Sequence, residues 1–280
     1  MTASVAPVSG STSVWAFVVF TGIVFGTAGL VSKSLINDGV DAFTVTGVMF
    51  SVGAATAWVL AIALGQVRRG AIAAGLLLGT INSAIPALFF NLGYETLGAG
   101  LAALIQSLGP AVTAGVAHGV FADERFTTKK GVGLALAATG VAALVLAPGV
   151  IEGASYAGAA WTVAGVIFAG SSAVLARRYA LRHGARALLA PQLTAGGIVP
   201  LLAGLLVGRE LLPAGGLAPL EIGAMVGLGV VAAYGGLRSM MLANEIGTTG
   251  QVSMIAYLIP LIGVGGGIAF LGESLTPWIV

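Results

Sequence analysis

The chain contains no cysteine, which excludes disulfides, thiolate metal sites and thiol nucleophiles. Histidine occurs twice, at His118 and His183, and neither stands in a His-x-x-Glu-His or related ligand cluster. A Gly-x-Ser-x-Gly motif is absent as well. An intramembrane enzyme would need a nucleophile–base pair or a metal cluster, so these residues argue against catalysis. No cofactor or metal is expected. Charge is equally scarce: Asp, Glu, Lys and Arg make up 8% of the 280 residues, for a net charge of +2. That is too little and too dispersed for a nucleic-acid partner, and too little polar surface to coat a soluble globule.

What the chain has in quantity is apolar. Hydrophobic residues make up 58% of it and the mean hydropathy is +1.03. About 20 residues cross a ~30 Å hydrocarbon core, and the apolar runs are that long. Lipid-facing backbone must be satisfied internally, so these runs predict an all-α polytopic membrane protein whose partner is the lipid bilayer. A transmembrane barrel would instead need short alternating segments. Spans are predicted near 14–36, 42–65, 71–93, 98–121, 131–150, 156–177, 185–207, 218–241 and 248–272. A tenth opens at Pro277-Trp278-Ile279-Val280, where the sequence stops. Residues 1–13 carry no Lys or Arg and run straight into a long apolar stretch. They read as an N-terminal tail before a first span, not as a cleaved signal peptide.

The connections give an orientation. Arg68, Arg69, Arg125, Lys129, Lys130, Arg177, Arg178, Arg182 and Arg186 all fall on the side of the N-terminus. The opposite side has Lys33 and Arg209 beside Asp38, Asp41, Glu152, Glu210 and Glu221. By the positive-inside rule the N-terminus is cytoplasmic.

The chain also repeats itself. Under a shift of 150 residues Leu92, Glu95, Gly100, Leu108, Pro110 and Gly115 fall on Leu242, Glu245, Gly250, Leu258, Pro260 and Gly265. Leu78-Gly79 falls on Leu228-Gly229. Span four therefore pairs with span nine, and each unit has five spans. An odd number turns the second copy upside down. The expected architecture is a 5+5 inverted repeat, residues 14–150 and 151–280, with ten helices of which the tenth is truncated. Many secondary transporters are built this way, with the substrate near mid-membrane and two exchangeable conformations.

These features resemble the EamA-type transporters of the drug/metabolite transporter superfamily. The resemblance rests on Glu95…Gly100…Pro110…Asp123-Glu124-Arg125 and its echo Glu245…Gly250…Pro260…Gly272-Glu273-Ser274-Leu275-Thr276, with Phe25-Gly26…Lys33 in span one. It covers nearly the whole chain and is closest to the YddG-type bacterial amino-acid exporters. It implies a ten-helix inner-membrane exporter of aromatic and other largely neutral amino acids. Spans one to four and six to nine would surround a central cavity, leaving five and ten outside.

Candidate substrate-binding residues are polar but mostly uncharged, as a zwitterion requires. They are Thr27 in span one, Asn82 in span three beside Pro86, and Gln106 and Ser107 in span four. Tyr234 in span eight and Ser253 and Tyr257 in span nine complete the set. Each has a plainer reading as glue between helices. Pro110, Pro260, Gly100 and Gly250 are candidate hinges, although membrane helices also use Gly for close packing. Glu95 and Glu245 precede spans four and nine in both copies and suit end caps or gates. His118 is a candidate proton or polar switch, against the reading of a hydrogen-bonded structural histidine. Lys33 and Arg238 lie near span ends, where they can snorkel to the interface. Carboxylates occur only at span ends, which favours uniport or exchange over proton coupling. A channel or facilitator for other small amphipathic metabolites shares the same fold.

Overall fold

Few polar residues interrupt the apolar runs, so they form long helices ended by the residues least compatible with helical backbone. The computed structural model describes residues 11–120, 131–133, 135–136, 139–140, 143, 156–213, 215–246, 252 and 254–273. The helices are α1 (Ser11–Asn37), α2 (Ala42–Ala63), α3 (Arg69–Leu78), α4 (Ile85–Tyr94), α5 (Ala99–Gln106) and α6 (Gly109–Val120). After them come α7 (Tyr156–His183), α8 (Ala185–Leu206), α9 (Pro219–Gly227), α10 (Leu237–Ile246) and α11 (Ile255–Leu271). Among the described residues every regular element is helical. Gly65 and Gly208 close α2 and α8 with φ of 62° and 73°, a left-handed conformation that glycine adopts without a Cβ penalty.

Seven stretches are long and apolar enough to cross a membrane: Val14–Asn37, Ala42–Ala63, Arg69–Tyr94, Ala99–Val116, Tyr156–His183, Ala185–Leu206 and Pro219–Ile246. Ile255–Leu271 is apolar but shorter. Predicted spans one to four and six to nine correspond to these eight. Most of predicted span five and all of span ten lie outside the described residues, as do Gly250 and Ser253. The outward faces are apolar, with Leu206, Leu261 and Phe270 at 87%, 71% and 82% exposure. Only hydrocarbon covers such a surface without cost.

Two spans contain a π-helical segment, Gly79–Ala84 between α3 and α4 and Leu228–Gly236 between α9 and α10. The first ends where Ile85 N–H reaches back to Thr80 O, just before Pro86. Pro86 has no N–H of its own, and the wider turn absorbs that missing donor. The sequence marks Pro86 but not the wider turn ahead of it.

Span four bends where Gly109 and Pro110 follow Gln106. A turn at Ser107 and Leu108 separates α5 from α6, with Ser107 Oγ donating to Leu104 O at 2.6 Å. Pro260, its counterpart, lies inside the continuous α11.

Packing relies on missing side chains. A Cβ on Gly22 would lie 2.6 Å from Leu258 Cβ, and one on Gly26 2.7 Å from Ile262 Cβ, so α1 sits directly on α11. Gly170 lets α7 approach Val112 of α6 in the same manner. Helices α2 and α8 cross where Gly47 and Gly197 meet, and a Cβ on Gly197 would be 2.7 Å from Ser51 N and 3.0 Å from Gly47 O. Close approach through small residues replaces the water-driven term that lipid does not supply.

Candidate functional site

Of the polar residues expected at one central site, Asn82, Gln106 and Tyr234 fall in three separate clusters. The first joins the π-helical segment of span three to α7 and α8. Asn82 Nδ2 donates to Ser172 Oγ at 2.8 Å, and Ser172 Oγ donates in turn to Phe168 O at 2.6 Å. Gln192 Nε2 donates to Ser83 Oγ at 3.0 Å and to Asn82 Oδ1 at 3.3 Å. Ser83, Ser172 and Gln192 are buried, and each hydrogen bond relieves an amide or hydroxyl that hydrocarbon could not satisfy. Asn82 thus has helix partners on both sides of its amide. Buried Gln192, beside Pro191 in a long apolar run, is an intramembrane amide that sequence reading passed over.

The second cluster ties spans one, three, four and nine together at the end carrying residues 37–42 and 94–99. Gln106 Nε2 donates to Tyr94 Oη at 3.1 Å, and Lys33 Nζ donates to Tyr94 O at 2.7 Å. The missing Cβ of Gly29 leaves room for the Tyr94 hydroxyl, which would lie 2.5 Å from it. Helix α5 has no side-chain cap of its own. Its first amides are met from a distance instead: the Glu273 carboxylate accepts from Ala99 N–H and, at 3.0 Å, from Gly100 N–H. An anion at a helix N-terminus satisfies orphan donors and complements the dipole. A Cβ on Gly98 would stand 2.9 Å from that carboxylate and one on Gly267 2.5 Å from it, so the glycines form its cradle. Gly100, offered by the sequence as a hinge, belongs to this cradle. Glu273 falls on Asp123 under the shift of 150, and that doubled acid was the available signal.

Nearby, Arg209 bridges Asp41 and Glu95, each at 3.3 Å, and stacks over Phe43 at 5.7 Å from the ring centroid. Asp41 also caps α2, accepting from Phe43 N–H at 2.8 Å. Ile36, Gly39, Val40, Asp41, Glu95, Arg209 and Glu210 line an open bowl of about 370 Å³ at this end.

The third cluster lies at the opposite end. Tyr234 and Arg238 face a cavity of about 40 Å³ shared with α2 and α8. Arg186 pairs with Glu245 there at 3.6 Å, both well exposed. The remaining candidates stand apart from all three clusters: Thr27, Pro110, His118 and Tyr257 are exposed, Tyr257 at 71%. Pro260 is partly buried in α11.

Spans four and nine meet along α5 and the second half of α11. Ala103 fills the space beside Gly263, and Gly100 lies against Val264. A Cβ on Gly109, Gly115 or Gly265 would meet nothing within 4 Å, although Gly263 and Gly266 on either side of Gly265 are tightly packed. Chemically, the interior offers neutral donors and acceptors near the middle and charged pairs at the ends. Among the described residues no group of His, Cys, Asp and Glu is placed to hold a metal ion.

The model of the EamA-like transporter family matches residues 12–146 and 156–280. No curated protein matches the sequence. One solved structure, described only as a crystal structure of a protein, superposes with a TM-score of 0.70 at 17% identity, covering 95% of this chain and 90% of the other. At that identity the likeness is one of fold.

Proposed function

This chain belongs to the EamA-like transporter family, and on that premise we propose that it exports aromatic and other largely neutral amino acids by alternating access. The site would lie between the polar clusters, with Gln106, Ser107, Asn82, Tyr234, Tyr257 and Ser253 reached in different conformations. Its membrane would be the bacterial inner membrane, with the N-terminus cytoplasmic as the basic connections suggest.

One observation carries the reading. Spans four and nine are clamped at one end by Glu273, whose carboxylate accepts from the amides of Ala99 and Gly100. A clamp made by one span's carboxylate on another span's backbone amides suits a contact that closes one state of a carrier and opens in the other. Two similar five-helix units of opposite orientation would provide the other. Support for such units comes from matching contacts. Gly79 lies against Gln192 O and Ala195 Cβ, and Gly229 lies against Met49 O and Val52 Cβ. Glu273, Glu95 with Arg209, and Lys33 then act as the outer gate, with Arg186 and Glu245 at the inner one.

The neutral character of Asn82, Gln106 and Ser107 suits a zwitterion better than a phosphate ester, which would draw several interior Lys or Arg. Counterflow in proteoliposomes tests this. Vesicles preloaded with threonine, methionine, phenylalanine or tryptophan should accumulate the matching external label transiently, and Gln106→Ala should reduce the overshoot. Equilibration without overshoot would instead support a facilitator or channel. No flux above empty vesicles would remove amino acids as the cargo.

A further inference from the structure

Arg238 holds a buried guanidinium nitrogen, Nη1, with no hydrogen-bond partner. Such a donor leaves the full desolvation cost uncompensated, and guanidinium N–H groups cannot accept or lose a proton to escape it. Arg238 lines the 40 Å³ cavity with Tyr234, and with Arg186 and Gln66 across the space. Two arginines thus border it, while Glu245, whose carboxylate pairs with Arg186 at 3.6 Å, is not part of its lining. The rest of the wall is apolar: Ala57, Leu60, Ala61 and Leu64 from α2 and its end, and Leu189 and Ala190 from α8. Leu60 and Leu64 are 38% and 63% exposed, so that wall continues onto the outer surface of α2. The volume admits a few water molecules or one small oxyanion.

From this we infer that the cavity between α2, α8 and α10 binds the phosphate group of an anionic membrane lipid, with the acyl chains lying along Leu60 and Leu64. A phosphate offers several acceptor oxygens in the geometry a guanidinium fork matches. Arg238 Nη1 supplies the buried donor and Arg186 the second charge, and Gln66 adds a neutral polar group. Inorganic phosphate carries the same oxyanion chemistry but gains nothing from the apolar wall, and a free amino acid brings an ammonium that two neighbouring arginines repel.

The test uses the full chain in detergent, with lipid retention read by native mass spectrometry against added phosphatidylglycerol or phosphatidylcholine. Phosphatidylglycerol should be retained about tenfold better, because phosphatidylcholine brings to the same phosphate a choline cation that Arg186 and Arg238 repel. Arg238→Gln should erase most of that preference. Arg186→Gln, at an exposed position, should lower it several-fold and keeps the test valid if the Arg238 variant fails to fold. Equal retention of the two lipids, or a preference unchanged in both variants, would overturn the inference. Displacement of phosphatidylglycerol by millimolar phenylalanine or by inorganic phosphate would also overturn it, since it would assign the cavity to a soluble anion.

Discussion

The two π-helical segments occupy corresponding places, yet they are held by different physics. Gly79 and Gly229 each open one segment to a crossing helix, α8 in one case and α2 in the other. In the first, Asn82 and Ser83 face the amide of Gln192 and form a hydrogen-bonded network with Ser172. In the second, Ala232 and Ala233 stand at the positions of Asn82 and Ser83, and Met49 packs where Gln192 would reach. Gly53 and Ala233 fit so closely that a Cβ on Gly53 would be 2.8 Å from that of Ala233. One half is cemented by polar pairing and the other by the absence of side chains. Backbone architecture does not require a particular adhesive; it requires that no polar group be left alone in hydrocarbon.

Substitutions can break that comparison at several strengths. Gly197→Val should have the largest effect, about 3 kcal/mol, because its side chain must displace the backbone at Ser51 and Gly47. Gly265→Val, with open space around it, should leave thermal unfolding in detergent close to wild type. Similar melting of both variants would show that the close approach is not what holds α2 to α8.

Gln192→Leu should cost about 1–2 kcal/mol by leaving Ser83 and Asn82 short of a partner. Placing an amide on the apolar side by Ala232→Asn should destabilise as well, since Met49 offers it nothing. A double-mutant cycle of Asn82→Ala with Gln192→Ala should give a coupling of about 0.6 kcal/mol, typical of such bonds between membrane helices. Zero coupling would reduce the network to four independent residues.

Glu273→Gln should cost about 0.3–1 kcal/mol through the weakened cap on α5. It should also shift transport more than stability if the clamp is a gate, so initial counterflow rates should fall or rise while the melting temperature barely moves. The smallest effect belongs to Arg186→Ala, whose exposed ion pair with Glu245 contributes well under ~1 kcal/mol. Its unfolding curve should overlay that of wild type.

Much of the fold was legible. Long apolar runs gave the spans, and Leu78-Gly79 with its echo marked the site of both π-helical segments without revealing their geometry. Gly22 and Gly26, two of the many glycines in apolar runs, are packing positions against Leu258 and Ile262. The candidate site was harder to read. Asn82 and Gln106 were visible as polar residues in apolar runs, but their partners Ser172, Gln192 and Tyr94 lie far away in sequence. Glu273 sits beyond the last apolar residue of its helix and reads locally as a loop acid. Only the fold brings it 174 positions back to the amide of Ala99.

The sequence by itself determined that the chain crosses a membrane in helices, which stretches form the spans, and that its polar interior is nearly neutral. Those follow from local rules: transfer of apolar side chains out of water, and backbone satisfied within each helix. Tertiary structure decided which polar group meets which, where a missing Cβ lets two backbones touch, and which arginine keeps an unpaired donor. Those depend on helix crossings set by side-chain shape across the whole bundle, and no window of sequence contains them.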